Sequence, residues 1–380
     1  MKKRTNALRP RYTVAVTGLN AIDSPGPGVA VIRALREAED YDVRIIGLSY
    51  EALEPGIYME QVADRTYQVP YPTAGSESLL SRLEYIHEKE QIDVIIPNFD
   101  AELHNFIRLV PALKKMGIAT FLPTQEQFEA RDKLNLFAFG QKHELHVPAD
   151  HVIYRAEELA ESAKRFGYPL VVKGKFYDAV VAQTAEQAQK AFHKLHAKWG
   201  LPIIVQQFIA GTEVNIAALG DGKGNAVSVI PMRKLYITDK GKAWAGITLE
   251  DQSLIDLAKK FIAVSKWRGG FELEIMRTMD GKPYIMEINP RFPAWIYLSA
   301  GAGQNQPAAL VKLALEQEVI PYENYAVGKM FIRYSWDQIV DIESFQQISA
   351  FGEFSIHEED KTETGKEKIT AGDLPLSNAG

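Results

Sequence analysis

Short apolar runs alternate with helix-spaced apolar positions over the first third of the chain. Val29, Ile32 and Leu35 recur at helical spacing, whereas Val94-Ile95-Ile96 is a continuous run typical of a buried strand. Strands that alternate with helices give right-handed crossovers and a parallel sheet. The pattern predicts an open α/β domain with strands at 12–18, 43–48, 93–97 and 118–121 and helices at 28–38, 79–89 and 103–116.

The pattern changes in the middle of the chain. Residues 123–150 read as helical, and 151–209 follow the order strand, helix, strand, strand, helix, strand, which predicts a compact α+β unit. Strands dominate 213–333, with two helices interposed at 253–267 and 308–316. Three hairpin turns are predicted there, at Asp221-Gly222, Lys240-Gly241 and Asp280-Gly281.

Apolar density falls after residue 340, and 357–380 are charged, small and free of aromatic residues. Such composition predicts a tail without fixed structure. The predicted divisions are an N-terminal α/β domain (1–122), a small lobe with linker helices (123–209), a large lobe (210–340) and a C-terminal segment (341–380).

Composition excludes several classes of site. A chain of 380 residues exceeds the usual size of one core, and its net charge of -6 argues against a broad nucleic-acid-binding face. The lack of cysteine removes disulfides, thiolate metal sites and cysteine nucleophiles. We expect no signal peptide and no membrane partner, because no apolar run approaches the ~20 residues that span a bilayer. The cytoplasm is the expected location.

The candidate functional residues are most closely spaced around the Asp280-Gly281 turn. Alternation on both sides predicts a hairpin in which Glu287 and Asn289 share one face and the carboxylate of Glu274 meets that of Glu287. Two carboxylates and an amide oxygen form a hard, all-oxygen site that suits magnesium. Arg291 follows with a guanidinium suited to phosphoryl or carboxylate oxygens. The alternative is an exposed acidic hairpin.

The run Met286-Glu287-Ile288-Asn289-Pro290-Arg291 after a glutamate-bearing strand resembles the metal-binding signature of ATP-grasp enzymes, which include biotin carboxylase, carbamoyl phosphate synthetase and amino-acid ligases. The resemblance covers about 12–330 and implies the ATP-grasp fold preceded by an N-terminal open α/β domain. It implies that Glu274, Glu287 and Asn289 hold magnesium, with manganese as the alternative ion, and that Arg291 contacts the γ-phosphate or an acyl phosphate.

The same resemblance implies further ligands of ATP. Lys133 and Lys173 would reach the phosphates, Glu213 the ribose, and Arg233 or Lys234 the transferred phosphoryl group. The segment Gln206, Gln207, Phe208 and Ile209 resembles the hinge that binds adenine, with an amide at 206 where the family often has an acid. Without the resemblance, Lys133 reads as an exposed lysine and Glu213 as a surface acid.

One departure concerns the flap over the phosphates. The family usually has a glycine-rich flap after the phosphate lysine, whereas Gly174 to Val180 is a short hairpin with one glycine. Either Lys175 and a tight turn cover the phosphates, or the site is more open than usual.

Several weaker candidates have structural alternatives. Asn20 and Asp23 lie in a glycine loop that can bind an anion or serve as a turn. Asp100 and Glu102 follow a strand at its carboxyl end and can either meet an amino group or cap a helix. The spacing of the histidines matches no zinc motif.

The function that the resemblance implies is an ATP-dependent carboxylate–amine ligase, in which Arg291, Lys173 and Arg233 act on the phosphoryl group. Its substrates would be a small carboxylate and an amine, with a free amino acid and a peptide both open. A homodimer is also left open. The alternatives are a biotin-carboxylase-like carboxylase and a non-catalytic ATP-binding regulatory or scaffold protein.

Overall fold

A computed structural model describes residues 9–22, 25–175, 178–238 and 241–356. The N-terminal part is a five-stranded sheet in the order β15-β3-β2-β1-β4, parallel except for β15 (Glu353–Phe354) from the end of the described chain. Helices cover both faces, as buried parallel strands require. Its elements are β1 (Arg11–Thr17), α1 (Gly28–Arg36), β2 (Asp42–Ser49), β3 (Arg65–Gln68), α2 (Gly75–Glu90), β4 (Val94–Ile96) and α3 (Asp100–Lys115).

Two linker helices lead to a small lobe built on a four-stranded antiparallel sheet in the order β5-β8-β6-β7. Leu170, Val172 and Val205 point to one face, where they pack against the lobe's helices in a core of its own. The elements are α4 (Gln125–Ala130), α5 (Leu136–His143), β5 (Asp150–Ile153), α6 (Leu159–Phe166), β6 (Leu170–Gly174), β7 (Ala179–Ala182), α7 (Ala185–Trp199) and β8 (Ile203–Gln207).

The large lobe is a six-stranded antiparallel sheet in the order β13-β12-β9-β10-β11-β14. Helix α8 covers one face through Leu254, Phe261 and Ile262, which pack on Leu273 and Ile275. The elements are β9 (Thr212–Asp221), β10 (Ala226–Ile237), β11 (Ala243–Thr248), α8 (Gln252–Ser265), β12 (Arg268–Arg277), β13 (Pro283–Asn289), α9 (Tyr297–Gly301), α10 (Gln306–Ala314) and β14 (Met330–Ile332).

The N-terminal domain and the large lobe share one hydrophobic core. Val14 and Leu35 belong to the same buried cluster as Ala217 and Leu310. Arg268, at the start of β12, donates to the carbonyls of Leu122 at 2.8 Å and Thr120 at 2.9 Å. The core of the small lobe, in contrast, lies between 153 and 205.

The chain returns to the first sheet at its described end. Helix α11 (Ile342–Phe351) is followed by β15 (Glu353–Phe354), which pairs with β3. Ile348 is fully buried, and Glu353 forms ion pairs with Arg65 and Lys89. The low apolar density of 341–356 therefore does not prevent a packed segment, and the predicted unstructured tail at 357–380 lies outside the described residues.

The predicted α/β and α+β architecture is confirmed, with local differences. The expected strand at 118–121 is reduced to a single bridge between Val94 and Ala119. Strand β3 and helix α9 were not predicted. Lys240 of the second predicted hairpin turn lies outside the described residues. No helix among the residues that the structure describes combines the length and apolar character needed to cross a membrane.

Candidate active site

The β12–β13 hairpin carries the predicted carboxylates. Glu274 lies directly opposite Glu287 in the antiparallel register, and Glu272 lies opposite Asn289. Residues paired in this way point to the same face. Leu273, between the two acids of β12, and Ile275, which follows them, point to the α8 core. The face that carries the acids is half-buried: Asn289 is 7% exposed, and the side chain of Glu287 is 37% exposed.

The amide of Asn289 has a defined orientation. Its Nδ2 donates to Glu274 Oε1 at 3.1 Å and to Glu272 Oε2 at 3.0 Å, so its oxygen is the end left for another partner. Glu274, Glu287 and Asn289 thus offer oxygen atoms on one face, and these donors suit a hard divalent cation. Among the described residues, no three His, Asp or Glu side chains form a metal site by themselves, so the amide would have to complete this one.

Glu272 is a buried carboxylate that the sequence analysis did not identify. Its Oε1 accepts from Asn215 Nδ2 at 2.9 Å and from Trp295 Nε1 at 2.8 Å. Burial raises the pKa of Glu272, and so does the charge of Glu274, while Arg291 and Trp295 oppose the shift. The alternation Glu-Leu-Glu at 272–274 is the signal that places it on the same face as Glu274, but its partners come from distant parts of the chain.

Arg291 connects the hairpin to the N-terminal domain. Its Nε donates to Asp100 Oδ2 at 3.0 Å, its Nη2 lies 3.0 Å from the same oxygen, and its Nη1 lies 3.8 Å from Glu272 Oε2. Burial alone would lower the pKa of Arg291, but Asp100 and Glu272 outweigh it and raise that pKa. Asp100 is therefore the acid of the 100–102 pair that enters the site.

Glu102 has a structural role instead. It is 1% exposed and accepts the backbone N–H groups of Asn98 at 2.7 Å and Phe99 at 2.9 Å, and hydroxyls of Thr17 and Tyr50. It fixes the start of α3, and the weak expectation that it meets an amino group is corrected. In the glycine loop, Gly28 packs closely against the end of β1, because a Cβ on it would lie 2.1 Å from the Thr17 carbonyl oxygen. A role of Asn20 in binding an anion stays a prediction. Asp23 lies outside the described residues.

Two lysines lie near the carboxylates of the hairpin. Lys133, in the turn between α4 and α5, places its Nζ 3.6 Å from Glu287 Oε2. Lys173 lies on the β6 face that carries no helix. Burial lowers the pKa of Lys173, as does the charge of Lys133, while Glu287 and Glu274 oppose the shift. These interactions place both lysines close to the two carboxylates.

Asp150 is a second acid that the sequence analysis missed. Strand β5 pairs it with Gln206, and β6 pairs Val171 with the same residue, so Asp150 shares a face with Lys173. Burial raises the pKa of Asp150 to about 6, and Lys173 partly opposes that shift. Sequence spacing could not bring 150 next to 173, because β8 joins their strands.

The predicted adenine segment lies at the end of β8. Gln206 is 5% exposed, and its Oε1 is buried without a hydrogen-bond partner among the described residues. The backbone N–H of Gln207 already donates to the Ala149 carbonyl at 2.8 Å, so it is not available to a base. Phe208 and Ile209 follow the strand, and Ile209 is 7% exposed.

The pair Arg233 and Lys234 divides between the two faces of the large sheet. Arg233 pairs with Val214, whose side chain belongs to the α8 core, so Arg233 points away from Glu274. The strand pairing favours Lys234 over Arg233 as the candidate for the phosphoryl group. Lys234 points to the Glu274 side and forms an ion pair with Glu213.

Two further cations bear on the site. Burial lowers the pKa of Arg333 to about 10, and the charge of Glu272 opposes this shift, which places the guanidinium near the hairpin. The sequence analysis did not name Arg333. Lys175 follows β6 directly, whereas Phe176 and Tyr177 of the predicted short flap lie outside the described residues.

Comparison with known sequences identifies relatives. Residues 201–335 match the family described as ATP-grasp in the biosynthetic pathway with Ter operon. The chain is 24% identical over 246 residues to the carbamoyl phosphate synthase arginine-specific large chain of Bacillus subtilis (strain 168), a match that covers 61% of this chain and 22% of that protein. The chain thus spans about a fifth of the length of the curated relatives that it matches.

Solved structures share the fold. The biotin carboxylase domain dimer of Hydrogenobacter thermophilus 2-oxoglutarate carboxylase, in complex with MgADP, ADP and bicarbonate, has a TM-score of 0.62 at 17% identity, covering 82% of this chain and 73% of that one. N5-carboxyaminoimidazole synthetase from Staphylococcus aureus has a TM-score of 0.64 at 16% identity, covering 85% and 82%.

Proposed function

Since the chain belongs to the ATP-grasp superfamily and has its fold, we propose that it joins a carboxylate to an amine at the expense of ATP. The observation that supports this most directly is the pairing of Glu274 with Glu287, with Lys133 3.6 Å from the latter. Opposed carboxylates with a lysine beside them are suited to a phosphate-bound divalent cation.

Glu274, Glu287 and the Asn289 oxygen are the residues that would hold magnesium, with manganese as the alternative. The MgADP named for the Hydrogenobacter biotin carboxylase domain supports magnesium as the first choice. A cation bound there would neutralise charge on the transferring phosphoryl group.

ATP would lie between the two lobes. Adenine would contact Gln206, Phe208 and Ile209, and the Gln206 amide oxygen can accept from an amino group of the base. Glu213 would bind the ribose. Lys173 and Lys133 would contact the phosphates, since both lie close to the carboxylates of the hairpin.

The reaction needs no protein nucleophile. A substrate carboxylate oxygen attacks the γ-phosphorus, ADP leaves, and the resulting acyl phosphate is attacked at carbon by an amine, which loses a proton as phosphate departs. Arg291, held in place by Asp100, is oriented to stabilise negative charge on the phosphoryl oxygens. Of the two candidates Arg233 and Lys234, Lys234 would contact the transferred phosphoryl group, because it points to the same side as Glu274.

The substrates are proposed by class only. A small carboxylate and an amine, either a free amino acid or a peptide, fit the chemistry. A homodimer also belongs to this proposal, because the biotin carboxylase domain of Hydrogenobacter is described as a dimer.

The test is the variant Glu287→Gln, which keeps the side-chain shape and removes the charge. ADP release with ATP, magnesium and pooled amino acids should fall by about 100-fold or more. The matched control is Glu186→Gln, since Glu186 is an exposed acid on α7. Retained ADP release in Glu287→Gln would contradict the metal assignment.

The same assay separates the rival functions. ADP release that depends strictly on bicarbonate would indicate a carboxylase. ATP binding without ADP release, whatever the acceptor, would indicate a regulatory or scaffold protein.

A further inference from the structure

We propose that Glu272 is a positioning residue that holds the Asn289 amide with its oxygen toward the metal. This inference rests on the magnesium assignment of the proposed function. Glu272 and Asn289 are paired across the hairpin, and Glu272 is 6% exposed. The carboxylate therefore has little access to solvent, and its role must be found among its protein neighbours.

The hydrogen bonds define what Glu272 does. Its Oε1 is held by Asn215 Nδ2 at 2.9 Å and Trp295 Nε1 at 2.8 Å, which fixes the direction of the carboxylate. Its Oε2 accepts from Asn289 Nδ2 at 3.0 Å. Every hydrogen-bond partner of Glu272 is thus a donor, and this arrangement compensates the cost of burying a carboxylate.

The orientation of an asparagine amide depends on its neighbours, because the oxygen and nitrogen ends have nearly the same shape. Asn289 Nδ2 also donates to Glu274 Oε1 at 3.1 Å, so both of its hydrogens are directed to carboxylates. If the amide rotated by half a turn, its oxygen would face these two acids. Glu272 therefore selects the rotamer that leaves Oδ1 for the cation.

Glu272 is distinct from the metal ligands. Both of its oxygens accept hydrogen bonds from protein groups, and Arg291 Nη1 lies 3.8 Å from Oε2. Partners that orient a metal ligand in this way typically change metal affinity by about 10- to 100-fold when they are altered. The same range is expected here.

The experiment measures Mn²⁺ binding, so it does not depend on turnover. Glu272→Gln is compared with the unmodified protein in saturating ADP, with free Mn²⁺ followed by electron paramagnetic resonance. We expect Mn²⁺ to bind about 10- to 100-fold more weakly. ADP affinity in EDTA should stay within about twofold, since no contact to the nucleotide is removed.

A second variant tests the polarity of the hydrogen bond. In Glu272→Gln/Asn289→Asp the glutamine amide can donate to the aspartate, while its oxygen still accepts from Asn215 and Trp295. The formal charge of the pair is unchanged, so the double variant should bind Mn²⁺ more tightly than Glu272→Gln. Glu54→Gln is the matched control, because Glu54 is a buried carboxylate in the N-terminal domain at 7% exposure.

Four results would overturn the inference. The first is an Mn²⁺ affinity of Glu272→Gln within twofold of that of the unmodified protein, and the second is an ADP affinity in EDTA that falls as much as the Mn²⁺ affinity does. The third is a double variant that binds Mn²⁺ no more tightly than Glu272→Gln. The fourth is complete loss of Mn²⁺ binding, which would indicate that Glu272 is a direct ligand. If the protein binds Mn²⁺ but releases no ADP from ATP with any acceptor, the ligase proposal is rejected and this inference still stands.

Discussion

The ion pair between Asp100 and Arg291 allows a quantitative prediction, because it joins the N-terminal domain to the β12–β13 hairpin. Asp100→Asn keeps the shape of the side chain and an acceptor oxygen but removes the charge. The Arg291 side chain is 15% exposed and that of Asp100 is 29% exposed, so solvent screens the pair only in part. A charge-assisted hydrogen bond in such a setting contributes about 2 kcal/mol.

The expected change in Tm follows from this free energy and the length of the chain. Unfolding entropies of about 2.1 cal/mol/K per residue give about 0.8 kcal/mol/K for 380 residues. A loss of about 2 kcal/mol therefore lowers Tm by about 2.5 °C, which circular dichroism can resolve. A cycle with Arg291→Gln should assign about the same 2 kcal/mol to the coupling of the two side chains.

The matched control is Asp40→Asn, which removes an exposed ion pair between the same two parts of the molecule. Asp40 is 67% exposed and lies 2.7 Å from Lys312, and such pairs contribute at most about 1 kcal/mol. A Tm of Asp100→Asn that falls no further than that of the control would refute the reasoning.

Two further predictions concern the half-buried acid Asp150 and the returning C-terminal segment. The pKa of Asp150 is raised to about 6 from 3.8, so its ionised form costs stability above that pH. Asp150→Asn should therefore be more stable than the unmodified protein by about 1 to 2 kcal/mol at pH 8, after allowance for solvent screening. The gain should vanish below pH 4 in a pH series of Tm, and a variant that is less stable at pH 8 would contradict it. Ile348→Ala should lose about 3 kcal/mol, seen as a lower Tm, whereas Ile339→Ala, at a 93% exposed position, should lose almost nothing; equal losses would contradict the packing of α11.

Local pattern was enough to predict the β12–β13 hairpin. Alternation on both sides of Asp280-Gly281 predicted the pairing of Glu274 with Glu287, and Gly281 adopts a positive φ of +85° in the turn. The register next to the turn differs from the predicted one, because a register shift after Glu274 pairs Ile275 with Ile285. Long amphipathic elements such as α2 and α8 were predicted for the same reason. The strand expected at 118–121 failed because only Ala119 pairs with a neighbour.

Residues whose environment comes from distant segments could not be predicted. Glu272 depends on Asn215 and Trp295, and Asp150 meets Lys173 only because β8 lies between their strands. Arg233 and Lys234 look equivalent in sequence, and the pairing of Arg233 with Val214 decides which of them points to the hairpin. Strand β15 has two residues and exists because β3 offers it an edge.

The shared core of the N-terminal domain and the large lobe determines how the cleft can open. Separating these two parts would expose buried apolar side chains. It would also break the two hydrogen bonds from Arg268 to the carbonyls of Thr120 and Leu122. The small lobe has a core of its own. It can therefore rotate as a rigid body without exposing that core to solvent. During entry and exit of ligands, Lys173 would then move with the small lobe, while the hairpin acids and Arg291 would stay fixed.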